Sequence, residues 1–178
     1  MDTEFFLAAD ALWLDLVNTS RHDGRADRLG DLAAWHRWTR ACQLPSGAGS
    51  EPLRRVHQVR TALGELARAL ADGGQVPGGA IDMVNALLTR LPGHEQLVRE
   101  GGTWRLRFSP QDISPALEAV ARSAAATLAE SGAVVRRCAN PTCGRYFVDR
   151  TAAGTRHFCS ELTCGQGRWA DRRRGVLA

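Results

Sequence analysis

Two matched cysteine pairs, Cys138-x4-Cys143 and Cys159-x4-Cys164, constrain this chain more than any other feature. Fifteen residues separate the pairs. Four thiolates at that spacing complete a closed tetrahedral shell around one structural Zn2+, leaving no open coordination position for water activation. Such a shell holds a fold together and points to recognition rather than metal catalysis. Two disulfides are the alternative, and they belong to exported proteins. The opening Met1-Asp2-Thr3-Glu4 is acidic where a secretory leader is basic, and Asp10 and Asp15 interrupt the apolar run behind it. The expected compartment is therefore the reducing cytoplasm. No apolar run is long enough to span a bilayer.

Around the cysteines the pattern predicts a treble-clef-like plan. Pro141 and Gly144 suit a tight first knuckle. Residues 144–150 and 155–158 read as two short strands about a Gly154-containing turn. Ser160 can cap a helix to about Arg174, with Gly175 as its stop. A module of roughly 45 residues is too small for an independent core without metal or disulfides. Tyr146, Phe147, Phe158 and Trp169 are its expected apolar patch. The fifth cysteine, Cys42, stands at helical spacing from Leu32, Trp35 and Trp38, which predicts a buried apolar role.

Charge separates the two ends of the chain. It contains no lysine, and residues 136–178 carry nine arginines against three acids, a net of +6, while residues 1–135 come to −2. A zinc tetrathiolate contributes about −2 of its own, so the loaded module stays basic. This asymmetry predicts an anionic partner, DNA being the first candidate. Arg145, Arg150, Arg156, Arg168, Arg172, Arg173 and Arg174 are the candidate DNA contacts. Arg168 and Arg172, four apart, would share one helical face.

Ahead of the module, the periodicity is mostly helical. Apolar stripes run through Phe5–Val17, Leu32–Cys42 (capped by Asp31), Leu53–Leu70 and Ile81–Leu91, with a last one from Ser114-Pro115 to Gly132. Between the last two, His94–Val98 and Thr103–Phe108 flank Glu100-Gly101-Gly102 and predict a β-hairpin. The expected fold class is mainly α (α+β), with a helical domain over 1–132 and the zinc module over 133–178. Clusters of Gly and Pro at 45–52 and 73–79 mark connecting loops.

Four residues are candidate ligand contacts. Asp15 and Asn18 are three apart near the end of the first helix, with Thr19 beside them. Helix capping by Asn18 and Thr19 is the competing explanation. Arg60 interrupts an apolar face and must be paired if buried, with Asp15 its expected partner or an anionic ligand in its place. Neither a nucleophile–base pair nor a phosphate-binding glycine loop is evident, which argues against an enzyme.

These residues resemble a known family. Cys138-Ala139-Asn140-Pro141-Thr142-Cys143-Gly144, Asp149-Arg150, Arg156-His157-Phe158-Cys159-Ser160 and Cys164-Gly165 look like the finger of bacterial CGNR zinc-finger proteins. Leu14-Asp15-Leu16-Val17-Asn18-Thr19 is similar to the signature of the ABATE domain that precedes that finger, and Leu32–Trp35 with Leu44 also fits. The resemblance covers nearly the whole chain. It implies a stress-related transcription regulator with a ligand-sensing N-terminal domain. One departure stands out: the name motif Cys-Gly-Asn-Arg is replaced by Cys164-Gly165-Gln166-Gly167-Arg168. A shift of one residue turns a helical side chain by about 100°, so Arg168 does not inherit the missing arginine's contacts. A zinc-stabilised protein adaptor is the second function class. A single finger also reads little DNA, so a homodimer through the helical domain is expected.

Overall fold

The computed structural model describes residues 5–7, 9–20, 26–44, 49–90, 93–101, 103–110 and 116–165. Among the described residues the N-terminal part forms five helices: α1 (Leu12–Val17), α2 (Leu32–Ala41), α3 (Leu53–Ala71), α4 (Gly78–Leu88) and α5 (Ala116–Ala129). A hairpin, β1 (Gly93–Glu100) and β2 (Thr103–Pro110), separates α4 from α5, and a second, β3 (Val134–Arg137) and β4 (Tyr146–Asp149), follows α5. A single π-helical turn, Glu161–Gly165, closes the described chain.

The helices begin where the local chemistry allows. Asp31 caps α2 by accepting the Ala34 N–H at 2.7 Å, as its position predicts. Proline enters α3 at Pro52, where the missing N–H costs nothing. The first stripe is helical only from Leu12. Asp10 takes a left-handed φ of 61°, and the Asp15 carboxylate captures the Ala9 N–H at 3.1 Å. Phe5 and Ala9 are still buried, but by an irregular segment rather than by an extended α1.

The nineteen-residue α3 is the spine, packed by α1, α4 and β3, while α5 closes the other side on α1 and α4. Trp13, Trp35 and Trp38 are fully buried. Trp35 and Trp38 stack at 5.1 Å with 13° between planes, and the Trp13 indole N–H donates to Thr127 Oγ1 at 3.1 Å. Leu32, expected on the apolar stripe, is instead exposed. Cys42 ends α2 half-buried against the core, and burial pushes its thiol up to about 12.

Packing does not stop at residue 132. Val135, Tyr146 and Val148 belong to the same core as the helices, while Phe147 and Phe158 gather with the four cysteines and Phe6 in a smaller one. Strand β4 is buried on both faces. The hairpin of the zinc module therefore differs from the one its sequence suggests. Residues 146–149 pair with 134–137, in register from Val134↔Asp149 to Arg137↔Tyr146. Residues 155–158 form no strand. They wrap around the Asp149 carboxylate, which takes the Thr151 N–H and hydroxyl and the Arg156 N–H. A fully buried carboxylate at the strand end needs those donors, and it claims the backbone that a second strand would have used for pairing.

Candidate metal centre and its link to the helical part

The hairpin positions the first knuckle. Residues 138–145 cross from β3 to β4, closed by Cys138 N–H to Arg145 O at 2.8 Å. Asn140 Oδ1 accepts both the Thr142 N–H (3.0 Å) and its hydroxyl (2.9 Å). Gly144, at φ 66°, supplies the left-handed residue that returns the chain to β4. The second knuckle runs through Ser160, whose carbonyl takes the Cys164 N–H at 2.9 Å. The helix expected from Ser160 to Arg174 is described only to Gly165, as the π-helical turn; Arg168, Arg172, Arg173 and Arg174 lie outside the described residues.

All four sulfurs are buried and lie within 4.8 Å of one another. Cys143 and Cys159 Sγ stand 3.5 Å apart, Cys159 and Cys164 Sγ 3.6 Å. Zn–S bonds of about 2.3 Å in a tetrahedron place sulfurs about 3.8 Å apart, so the donor set fits. Cys138, Cys143, Cys159 and Cys164 hold one structural zinc ion. Without metal the sulfurs compete for protons. Hydrogen bonding led by Cys159 holds the Cys143 thiol low, the same hydrogen bond and then burial drive Cys159 up, and burial followed by Cys143 drives Cys164 up. Zinc must displace the remaining protons, so its affinity falls as pH falls. Arg145 and Thr163 stand next to the cluster, with Arg145 Nη1 4.0 Å from Cys143 Sγ and the Thr163 hydroxyl 3.8 Å from Cys164 Sγ. His157 is exposed and outside the cluster.

Of the polar residues at the end of α1, Asn18 faces this module. Asn18 donates its amide to Tyr146 O and accepts the Tyr146 N–H, both at 2.9 Å. Its side chain thus acts as a short strand on the outer edge of β4, and Ala9 O extends the edge by accepting the Val148 N–H at 2.9 Å. Thr19 is buried, donates to Leu16 O at 2.6 Å and accepts from Arg60 Nη1 at 3.1 Å.

Arg60 is buried and paired, but with Asp27 and not Asp15. Its two terminal nitrogens grip both Asp27 oxygens, at 2.8 and 2.5 Å. Asp15 is turned to Ala9 N–H, whereas Arg60 reaches past the end of α1 to the loop that carries Asp27. Burial alone would raise the Asp27 carboxyl, but Arg60 and the Leu29 N–H outweigh it and hold it low. Asp15 goes the other way: burial raises it to about 7, reinforced by Asp10 and only partly offset by the Ala9 N–H. All four candidate ligand residues therefore have partners inside the fold.

The described module arginines divide by their contacts. Arg150 binds Glu130 at 2.8 Å and Asp10 O at 2.6 Å. Arg156 pairs with the Asp10 carboxylate, donates to Phe158 O and Cys159 O, and lies 4.6 Å over the Phe147 ring. Arg136 joins Asp149 at 2.9 Å and Gly154 O at 2.7 Å. Asp149 is held down at about 2, first by the Thr151 hydroxyl and then by Thr151 N–H, Arg136 and the Arg156 N–H, against the opposing effect of burial. Arg145 stacks 4.3 Å from the Phe6 ring. Asp10, Asp27, Arg136 and Asp149 were not among the site residues legible beforehand, because each is defined by a partner distant in sequence or by a loop.

A family profile described as putative stress-induced transcription regulator, named ABATE, matches residues 10–131. The chain belongs to the ABATE family. The CGNR zinc finger profile matches residues 135–174 behind it, so the ABATE signature residues Asn18 and Thr19 sit against the finger and the spine helix. No curated protein matches the ABATE chain. Among the described residues no helix is long and apolar enough to cross a membrane.

Proposed function

We propose that this ABATE–CGNR protein is a bacterial, cytoplasmic DNA-binding transcription regulator of stress responses, in which the N-terminal domain, residues 1–132, senses a small ligand and the finger, residues 133–178, meets DNA. The observation that carries the reading is the closed, buried four-sulfur cluster set on a strand whose other edge is held by α1. A closed shell suits recognition and offers no open metal position for catalysis. The shared strand gives ligand and DNA a common rigid element to act on, as a two-site regulator requires. The anionic contacts fall to Arg145 with Arg168, Arg172, Arg173 and Arg174, since Arg150 and Arg156 brace the finger against the N-terminal part. A homodimer would supply a second finger for a longer site.

The internal engagement of Arg150 and Arg156 also favours a second reading, a zinc-stabilised adaptor that binds protein. Salt dependence separates the two. With one zinc per chain, anisotropy titration of a random-sequence duplex should give a log–log salt slope of about −4 to −5 for five arginines. No duplex binding even at low salt would sink the DNA reading and leave the adaptor.

A further inference from the structure

Strands β1 and β2 form a two-stranded sheet, so each has an outer edge with no ladder partner among the described residues. An eight-residue edge is a template for another strand. The two edges differ in what they offer. Only Gly101 and Gly102 separate the paired residues Glu100 and Thr103, and Gly101 takes a left-handed φ of 56°. A two-residue turn makes its flanking pair a hydrogen-bonded one, and bonded pairs then recur at every second position. The backbone N–H and C=O of residues 94, 96, 98 and 100 therefore point to β2, and those of 95, 97 and 99 point outward. On β2 the outward positions are 104, 106, 108 and 110. The last of them is Pro110, which has no N–H to offer. Strand β2 also carries Arg105 and Arg107 with no acid. A missing donor and like charge thus protect that edge from pairing with its own copy.

Strand β1 has the opposite character, because its sequence complements itself. Two β1 edges can run antiparallel about a two-fold axis at Leu97. That register sets Leu97 against the partner's Leu97, Glu95 against the partner's Arg99 and His94 against the partner's Glu100. Residues 95, 97 and 99 all have outward backbone groups, so the ladder is satisfied. An axis at 95 or 99 would oppose like charges, and one at 96 or 98 would set Glu95 and Arg99 against neutral residues. Opposite charges across a ladder stabilise it and like charges oppose it, so residue type selects the Leu97 axis. The exposed side chains fit the same face. Leu97 and Trp104 are both largely exposed, and the Arg99 guanidinium lies 5.9 Å over the Trp104 ring.

We propose that β1 is a homodimer edge, two copies pairing β1 to β1 about a two-fold axis at Leu97 to make one four-stranded antiparallel sheet. The contact is isologous, so the assembly closes at two chains. One strand edge buries little area, so the dimer is reversible and the dilute chain is single. The edge pairing stands independently of the DNA reading, to which it supplies the second finger.

The test uses the full zinc-loaded chain in sedimentation velocity from about 1 µM to about 1 mM, where a monomer should pass to a dimer and to nothing larger. Glu95→Arg and Arg99→Glu should each weaken the dimer about tenfold or more, because two facing pairs turn from attractive to repulsive. Zinc content and a cooperative melt show that each variant folds. Mixing the two variants should restore a dimer, since every facing pair then joins opposite charges, and a folding defect would not be relieved that way. A parent chain that stays monomeric overturns the proposal. So does a dimer that neither substitution weakens, or one that both weaken without recovery on mixing. Growth beyond two chains means that β1 pairs with β2 of the next copy, which overturns it too. Should the variants fail to fold, amide exchange in the parent chain decides. The N–H groups of 95, 97 and 99 gain protection as concentration rises if β1 is the edge, and gain none if it is not. A dimer that binds no duplex at any salt defeats the DNA reading and leaves the edge standing. Salt-dependent duplex binding by a chain that is monomeric throughout does the reverse.

Discussion

Among the described residues there are two antiparallel hairpins, and the shorter one is the more firmly held. Strands β1 and β2 have eight residues each and pack chiefly on each other, with Leu97 and Trp104 about two-thirds exposed at 63% and 64%. Strands β3 and β4 have four residues each, yet β4 is buried on both faces, with one side in the helical core and the other in the zinc cluster. A two-stranded hairpin alone is marginal in water. Length adds ladder hydrogen bonds that water can replace, whereas the short hairpin gains apolar burial, a metal at its turn and an outer edge closed by Asn18 and Ala9.

The largest break in that contrast is metal removal. Chelation should open amides of 134–137 and 146–149 to hydrogen exchange together with those of the knuckles, while β1–β2 protection stays as low as before. The loss should deepen as pH falls, because the sulfurs must be deprotonated to hold zinc. Next is Asp149→Ala, which strips the partner from Arg136 and the donors of residues 151–156. A loss of about 3 kcal/mol is expected in denaturant titration. The carboxylate's own contribution has a defined window. It is fully present above the unfolded value of 3.8 and disappears as pH falls through about 2.

Asn18→Ala removes the side-chain edge of β4 and leaves a buried N–H and C=O unsatisfied, at a cost of about 2–3 kcal/mol. Asp15 tests the same joint by pH. Its folded value, about 7, lies above the unfolded 3.8, so stability should decline as pH rises between them and level off above. Asp15→Asn should abolish that decline, on the order of 1–3 kcal/mol, in melts across the pH series. The smallest effect sharpens the comparison: Val135→Ala in the embedded hairpin should cost about 2 kcal/mol, whereas Leu97→Ala in the projecting one should stay within about 0.5 kcal/mol.

What could be read beforehand followed local chemistry. The zinc ligands, the Asp31 cap, the burial of Arg60 and the β1–β2 turn each announce themselves through spacing or residue type within a few positions. What could not be read depends on partners that only the folded chain selects. Arg60 takes Asp27, thirty-three residues away, over Asp15, because direction past the end of α1 decides the pairing and spacing does not encode it. Strand β4 prefers 134–137 over 155–158 because Asp149 commits the later segment to a loop. Arg150 and Arg156 count towards a basic surface in the sequence, yet the fold places Asp10 and Glu130 against them.

The Asn18–Tyr146 pair also bears on how the chain is made. Its two partners are 128 residues apart, so α1 leaves the ribosome long before the strand it completes has been synthesised. Closing so long a loop costs more entropy than closing the local helix contacts, so the pair is expected to form late. Until then the Asn18 amide and the buried face awaiting Val135, Tyr146 and Val148 stay open to water and to chaperones. A chain interrupted before the finger would keep that face uncovered and would be a ready target for proteolysis.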